Sequence, residues 1–289
     1  MILVLGGSGL LGRALLRELG PTATGSAMTR LAPGLAQVDA REPVAVLALA
    51  RSVRPVVIVN LVAERRPSHW GDLDELRRAN VTTAANSALA ARDVNAALLH
   101  ISTDYVFPSG GPFAPDHPHY PMNAYGRAKS AAESQVRRIL PGTVIVRMPV
   151  LYGPVQTLSE CNLSELVARI SATHEPVVLD SWARRRPTHV ADVARTLGAI
   201  VQSLSHWEGR SVHVSAQQWY SQYEMGLCIA ELLGSDPELI QAADRPAADR
   251  PRQVDLALDP GTPFLGEYRS MADALPLLIN DYLAVGATS

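Results

Sequence analysis

The chain has 289 residues, of which 47% are apolar and 19% are charged, so it is long enough for one large domain or two unequal ones. Its 26 basic and 28 acidic residues give a net charge of −2, and the absence of a long basic run argues against a nucleic-acid partner. Two cysteines, Cys161 and Cys228, are too few for a disulfide scaffold and lack the spacing of metal ligands, so we predict no metal site.

No stretch of 18 uncharged apolar residues occurs, and the chain begins with an apolar run that has no charged leader. We therefore expect no membrane insertion, no export, and a soluble cytoplasmic protein. The basic residues are unevenly divided, since Lys129 is the single lysine beside 25 arginines. An ammonium differs from a guanidinium in its compact charge and movable pKa, so this lysine is predicted to have a specific role.

Strands and helices alternate along the first 150 residues. The predicted elements are a strand over 1–5, a glycine turn over 6–12, a helix over 13–19, a poor strand over 22–28, a strand over 56–62, a helix over 75–92, a strand over 96–102, a helix over 124–140 and a strand over 143–148. This alternation predicts a parallel sheet covered on both faces. The predicted fold class is therefore α/β, with a Rossmann doubly wound sheet and a smaller C-terminal substrate domain.

The pattern loosens beyond Pro149, where helices are predicted over 190–204 and 223–233 and a strand over 211–215. A tandem duplication of five residues over 242–251 is predicted as a loop, because it is too short to indicate a repeat fold. We expect residues 1–150, together with about 184–205, to form the Rossmann domain. Residues 151–289 are expected to form mostly a substrate-binding region.

A glycine motif joins the first predicted strand to the first helix. The segment from Gly7 to Gly12 fits G-x-G-x-x-G in the context that dinucleotide binding requires, since the glycines permit a tight turn and the helix N-terminus attracts a pyrophosphate. Arg30 follows the second strand and no acidic residue lies between that strand and Asp39, which favours NADP over NAD, although Arg30 can also be an ordinary surface arginine. Asp39 is expected near the adenine. The predicted contacts from the turn are Gly6, Gly9, Leu10, Leu11 and Gly12.

A second motif places Tyr125 and Lys129 four residues apart at the start of a helix, hence on one face. An adjacent ammonium stabilises a phenolate, so we expect Lys129 to lower the pKa of Tyr125 toward the working range. Thr103 ends a central strand at the carboxyl edge of the sheet, where its hydroxyl can bind a substrate carbonyl.

The combination of G-x-x-G-x-x-G, S-T-D-Y-V-F after a central strand, and Y-x-x-x-K resembles the extended short-chain dehydrogenases/reductases. More narrowly, it resembles the dTDP-4-dehydrorhamnose reductase family, which includes the regulatory β subunit of methionine adenosyltransferase. Several stretches are similar to that subunit: Ala63-Glu64-Arg65-Arg66-Pro67, the segment 147–153, Arg186-Pro187-Thr188-His189-Val190, Tyr223-Glu224-Met225 and Arg250-Pro251-Arg252. The resemblance covers nearly the whole chain.

The resemblance implies that Thr103, Tyr125 and Lys129 are catalytic, and that Asn80 supports a proton relay. Tyr105 stands where sister dehydratases typically have a glutamate, which argues against 4,6-dehydration. Further cofactor contacts are implied for Leu61, Val62, Ala63, Ser102, Tyr125, Lys129 and Pro149, and substrate contacts for Asp104, Glu64 and Val150. Two further substrate contacts are predicted from residue type alone: Trp182, which can equally be a buried aromatic at a domain junction, and Arg186, which can equally be a solvated arginine.

Three functions stay open. The first is an NADP-dependent reductase of a nucleotide keto-sugar or of a ketone in a specialised biosynthetic pathway. The second is a cofactor-binding regulatory subunit without turnover, and the third is a redox-neutral epimerase with bound NADP. The resemblance allows a homodimer or a hetero-complex with a synthetase. The segment over 150–153 departs from the Trp-Val-Tyr-Gly of the reductases, so the substrate is left open.

Overall fold

A computed structural model describes residues 1–264 and 266–287 of the chain. The strands are β1 (Ile2–Leu5), β2 (Ala23–Ala27), β3 (Leu35–Gln37), β4 (Val57–Asn60), β5 (Ala97–Thr103), β6 (Gly110–Phe113), β7 (Val144–Met148), β8 (Leu151–Tyr152), β9 (Val177–Asp180), β10 (Arg184–Arg185), β11 (Thr188–His189), β12 (Ser211–His213), β13 (Tyr220–Ser221), β14 (Ile240–Ala243) and β15 (Val254–Leu256). The helices are α1 (Leu10–Leu19), α2 (Pro43–Val53), α3 (Leu73–Leu76), α4 (Thr83–Asp93), α5 (Ala124–Ile139), α6 (Asn162–Ser171), α7 (Val190–Gln202), α8 (Leu204–Trp207), α9 (Gln222–Leu233) and α10 (Met271–Ala287). A π-helical turn over Arg77–Thr82 joins α3 to α4.

Within the described residues, seven parallel strands form the main sheet in the order β12, β7, β5, β4, β1, β2, β3. The strand order reverses at β1, which pairs with β2 on one side and β4 on the other. In such sheets, ligands bind outside the carboxyl ends of the strands at this switch point. The predicted α/β doubly wound fold is confirmed.

Helices cover both faces of the sheet. Leu15 of α1 packs with Val193 and Leu197 of α7 in one core. On the other face, Val46 of α2 packs with side chains of α4 and α5. The chain therefore returns to the N-terminal sheet long after residue 150, through α7 and then through β12. The division into domains at residue 150 stays a prediction.

The second region has a core of its own, formed where α6, α9 and α10 pack on one another and on β9 and β14. Tyr282 of α10 joins that core to the residue that follows β8, since its hydroxyl donates to the carbonyl of Gly153 at 2.9 Å. None of the helices in residues 1–264 and 266–287 is long and apolar enough to cross a membrane.

Backbone pairing decides the structure of two segments with weak local signals. The poor strand predicted over 22–28 is present as β2, because its backbone pairs with β1 on one side and β3 on the other. The duplication over 242–251 is only partly a loop, since Ala242 and Ala243 pair with β9 as the end of β14. In both places backbone pairing overrides weak side-chain propensity.

A buried ion pair lies beneath the carboxyl edge of the sheet. Arg147 of β7 donates to both carboxylate oxygens of Glu133 on α5, the closest contact being 2.7 Å, and both side chains are 4% exposed. Although burial alone would raise the pKa of Glu133, hydrogen bonds from Arg147 keep that pKa below its usual value. The pair thus holds α5 in place against β7.

We predict that Glu133→Gln lowers the free energy of unfolding by about 3–5 kcal/mol, because it leaves the guanidinium of Arg147 buried without its counter-charge. Urea denaturation of the variant and the parent measures the difference. A matched control is Asp93→Asn, which breaks an exposed ion pair with Arg51 and should cause no resolvable change. A loss below about 1 kcal/mol in Glu133→Gln would contradict the role given to this pair.

Candidate active site

The glycine turn follows β1 at the carboxyl edge of the sheet. Gly6 has φ +86°, a conformation that favours glycine. A Cβ atom on Gly12 would lie 2.2 Å from the Gly6 carbonyl oxygen, so only glycine lets α1 pack this close. Gly9 precedes α1, and Leu10 and Leu11 begin it as half-buried and buried residues. The positive end of the α1 dipole therefore lies at this turn.

The loop after β4 lies beside the glycine turn. Leu61 donates its amide to the carbonyl of Leu5 at 3.0 Å. A Cβ atom on Gly6 would come within 3.3 Å of Val62 Cγ2, and Ala63 follows as an exposed residue. Three of the predicted cofactor contacts, at positions 61–63, are thus brought to the switch point.

Arg30 and Asp39 both have partners within the protein. Arg30 follows β2 and forms an ion pair with Glu160, a residue that sequence reasoning missed. Asp39 binds Arg41 at 2.8 Å, and the hydrogen bonds from Arg41 lower the pKa of Asp39. Arg41 also reaches Met28 Sδ at 3.2 Å, which places this second pair near the end of β2. Arg30 is therefore not an unpaired surface arginine.

Thr103 ends β5, and its hydroxyl donates to Asp104 Oδ1 at 3.0 Å. Both residues are buried. Burial raises the pKa of Asp104 to about 6, while the positive charge of Arg185 acts in the opposite direction. A hydroxyl and a weakly acidic carboxyl group therefore lie together at the carboxyl end of a central strand.

Helix α5 brings Tyr125 and Lys129 to the same edge. Asn123 caps the helix by accepting from the Gly126 amide at 2.7 Å. A Cβ atom on Gly126 would lie 2.2 Å from the Tyr105 carbonyl oxygen, so α5 begins in direct contact with the segment that follows Thr103. Tyr125 is 9% exposed and Lys129 is 2% exposed.

The electrostatics of the Tyr125 and Lys129 pair differ from our expectation. Lys129 Nζ donates to the carbonyl of Ile101 at 2.6 Å, and burial lowers the pKa of Lys129 to about 8. Burial also raises the pKa of Tyr125 above its usual value. The prediction that the lysine lowers the tyrosine pKa is wrong here, because loss of water dominates and the ammonium is directed at a carbonyl. Tyr125 is a neutral phenol at neutral pH.

Asn80 lies in the π-helical turn and binds the loop after β4. Its Nδ2 donates to the carbonyls of Leu76 at 3.0 Å and Glu64 at 3.1 Å, while its buried Oδ1 has no partner among the described residues. Although burial alone would raise the pKa of Glu64, hydrogen bonds from Arg66 hold it at about 2. The Glu64 carboxylate is thus engaged by a neighbour, and the Asn80 oxygen is the free acceptor.

Aromatic side chains that sequence reasoning missed cover Tyr125. The ring of Trp70 lies parallel to that of Tyr125 with centroids 5.9 Å apart, and the ring of Tyr105 meets Tyr125 edge-on at 6.2 Å. Trp70 Nε1 donates to the Arg65 carbonyl at 3.3 Å, and Arg185 donates to the Tyr105 hydroxyl at 3.2 Å. No spacing signal in the sequence identifies the stacking of Trp70 on Tyr125 or the bond from Arg185 to Tyr105, because each contact joins residues of different elements that are far apart in the chain.

Three residues predicted to contact cofactor or substrate, Ser102, Pro149 and Val150, lie near the carboxyl edge of the sheet in different surroundings. The hydroxyl of Ser102 donates to the carboxylate of Glu133 and so is turned into the buried network. Pro149 is buried directly after β7. The carbonyl of Val150 accepts from the Thr188 amide at 3.0 Å. A cofactor contact from the Ser102 side chain would require that hydrogen bond to break.

Trp182 and Arg186 are engaged in contacts within the second region. Arg186 pairs with Asp255 at 2.9 Å and lies 4.4 Å from the centroid of the Trp219 ring. The guanidinium of Arg250 lies 6.0 Å from the centroid of the Trp182 ring. In the described part of the chain, no group of three or more His, Cys, Asp or Glu residues could hold a metal ion.

Residues 1–282 match a family described as the RmlD substrate binding domain. Methionine adenosyltransferase 2 subunit beta of Rattus norvegicus is 32% identical and covers 88% of this chain and 79% of its own length. The dTDP-4-dehydrorhamnose reductase of Streptomyces griseus is 36% identical over 68% of this chain and 64% of its own length. A solved dTDP-4-dehydrorhamnose reductase of Bacillus anthracis in complex with NADP shares the fold, with a TM-score of 0.77, 24% identity and coverage of 95% of this chain and 96% of that one.

Proposed function

The chain belongs to the family of the RmlD substrate binding domain, and from that membership we propose that it is an NADP-dependent reductase of a carbonyl group. The proposed substrate is a nucleotide keto-sugar of the dTDP-4-dehydrorhamnose type or a ketone in a specialised biosynthetic pathway. The observation that carries the proposal is the joint burial of Thr103, Tyr125 and Lys129 at the carboxyl edge of the sheet, where ligands bind in doubly wound folds. The membership confirms the resemblance inferred from the motifs.

The glycine turn fits a dinucleotide. The space that a Cβ on Gly12 would fill lets α1 approach β1 closely, and in this proposal the backbone of Gly6, Gly9 and Gly12 holds the pyrophosphate. Arg30 would bind the 2′-phosphate that distinguishes NADP from NAD. When bound, NADPH supplies the hydride that reduces the carbonyl carbon.

Tyr125 is the proposed proton donor. Because burial raises its pKa, the phenol keeps its proton until a carbonyl oxygen gains negative charge and can accept it. Thr103 now donates to Asp104, and its hydroxyl would turn to the same carbonyl oxygen to orient it.

Lys129 is the proposed stabiliser of the phenolate that remains after proton transfer. Its pKa of about 8 leaves the ammonium largely charged at neutral pH, and no water surrounds it to weaken that charge. Besides its bond to the Ile101 carbonyl, an ammonium has two further N–H groups, one of which would hold a ribose hydroxyl. The unpartnered Oδ1 of Asn80 would accept a hydrogen bond in the relay that returns a proton to Tyr125.

A regulatory role is the second candidate. It is favoured by the similarity to the rat methionine adenosyltransferase 2 subunit beta, which extends over more of this chain than the similarity to the Streptomyces griseus reductase does. In this case the chain would bind NADP without turnover and form a hetero-complex with a synthetase. In either case we propose a cytoplasmic location, and for the reductase a homodimer is the simplest assembly.

For the reductase, we predict that Tyr125→Phe slows substrate-dependent NADPH oxidation by about 10²–10⁴-fold, because the proton donor is lost. NADPH binding, measured by fluorescence titration, should be unchanged. Stoichiometric oxidation of NADPH by the parent protein, with dTDP-4-dehydrorhamnose or another ketone, would also exclude the redox-neutral epimerase.

The matched control is Tyr268→Phe, which removes a hydroxyl bonded to Thr196 of α7 at 2.6 Å, outside the proposed site, and should leave turnover unchanged. If Tyr125→Phe keeps NADPH oxidation within about 3-fold of the parent rate, Tyr125 is not the proton donor.

For the regulatory alternative, we predict co-purification with a methionine adenosyltransferase catalytic subunit and a change in the KM or kcat of that synthetase when this chain is added. Size-exclusion chromatography of the mixed proteins, followed by synthetase assays with and without NADP, measures both. Separate elution together with unchanged synthetase kinetics would exclude this role.

A further inference from the structure

Glu160, a residue of the second region, lies among three arginines of the N-terminal region. Arg13 of α1 contacts both of its carboxylate oxygens, at 2.7 and 2.9 Å, and Arg30 binds the same carboxylate from the end of β2. Arg65, in the loop after β4, donates to the main-chain carbonyl of Glu160 and to that of Ser159 at 3.4 Å. Three elements at the switch point thus converge on one acidic residue.

The charges in this cluster do not balance. Arg13, Arg30 and Arg65 bring three positive charges, whereas Glu160 brings one negative charge and is 5% exposed. Burial lowers the pKa of Arg30, and the positive charges of Arg13 and Arg65 lower it further. Neighbouring guanidinium groups therefore repel one another here, and an anion of charge −2 would relieve the repulsion better than one carboxylate does.

The cluster also adjoins the proposed cofactor site. Arg13 Nη1 donates to the carbonyl of Ser8 at 2.7 Å, inside the glycine turn. Arg30 stands at the end of β2, where a 2′-phosphate is recognised in this type of fold. Guanidinium groups bind carboxylates and phosphates with the same forked geometry, so the Glu160 carboxylate competes for the N–H groups that a phosphate would use.

We propose that the Glu160 carboxylate competes with phosphate for Arg13 and Arg30. It binds the two arginines until a phosphate group of the dinucleotide displaces it. This inference rests on the proposed binding of NADP, and it assigns Glu160 as the residue that sets phosphate affinity. Displacement releases the Glu160 carboxylate from Arg13 and Arg30, while Arg65 keeps its bonds to the main-chain carbonyls of Ser159 and Glu160, and so links cofactor occupancy to a side chain of the second region. The phosphate is either the 2′-phosphate or the pyrophosphate.

Isothermal titration of the parent and of Glu160→Gln with 2′,5′-ADP, ADP and 5′-AMP tests the proposal. Glu160→Gln should bind 2′,5′-ADP or ADP about 5-fold or more tightly than the parent does. The reason is that Arg13 and Arg30 are no longer held by the Glu160 carboxylate and are available to a phosphate. A gain for 2′,5′-ADP beyond that for 5′-AMP identifies the 2′-phosphate, and a gain for ADP beyond that for 5′-AMP identifies the pyrophosphate.

Two further variants separate competition from other effects. Glu165→Gln removes the same charge from an exposed position of α6 and should leave all three affinities unchanged. Glu160→Asp keeps the charge but withdraws the carboxylate by one methylene, so it should give a smaller gain than Glu160→Gln and serves if the latter does not fold.

Unchanged or weaker nucleotide binding in the Glu160 variants would overturn the inference, because Glu160 would then support the arginines rather than compete for them. Binding of none of the three nucleotides by either protein would overturn it as well. Failure of the reductase proposal has a different signature, namely intact nucleotide binding without NADPH oxidation.

Discussion

The ammonium of Lys129 is buried at the carboxyl edge of the sheet, where it donates to the Ile101 carbonyl. Removing this charge from water costs free energy and lowers its pKa to about 8, so the folded protein is less stable at neutral pH than it would be with the lysine neutral. The sign follows from proton binding: between about pH 8 and 10.5 the unfolded chain holds the proton more tightly, so this contribution to stability rises with pH. The role proposed for Lys129 as stabiliser of a phenolate would account for this cost.

The surrounding elements are arranged around that group. Glu133, four residues after Lys129 on α5, opposes the fall in the lysine pKa, and its pair with Arg147 fastens the helix to the sheet. The contact of Gly126 with the Tyr105 carbonyl brings Tyr125 against the end of β5. Burial lowers the pKa of Lys129 and raises the pKa of Tyr125, so that Tyr125 stays protonated. The same buried environment therefore sets the protonation of both groups for the proposed proton transfer.

The fold and the motif residues could be predicted from local sequence patterns. A glycine turn, and a tyrosine four residues before a lysine, are short-range features that the sequence shows directly. Strand β2 was only weakly predicted, since its pairing with β1 and β3 supplies what its side chains do not. The pairing of Arg30 with Glu160 joins residues 130 apart, and the stacking of Trp70 on Tyr125 joins a loop to helix α5, so neither has a signature in sequence spacing. The predicted direction of the Tyr125 pKa shift was wrong for a related reason, because the burial that raises this pKa depends on the whole fold.

Because Lys129 is the single lysine, the protonation of its buried ammonium can be measured directly. In protein labelled with ¹⁵N-lysine, Lys129 gives the only lysine side-chain NMR signal, and its chemical shift can be followed from about pH 6 to 11. Burial of the ammonium away from water predicts a titration midpoint of about 8. A midpoint near 10.5, the ordinary value, would show that Lys129 is solvated and would contradict the buried site proposed for it.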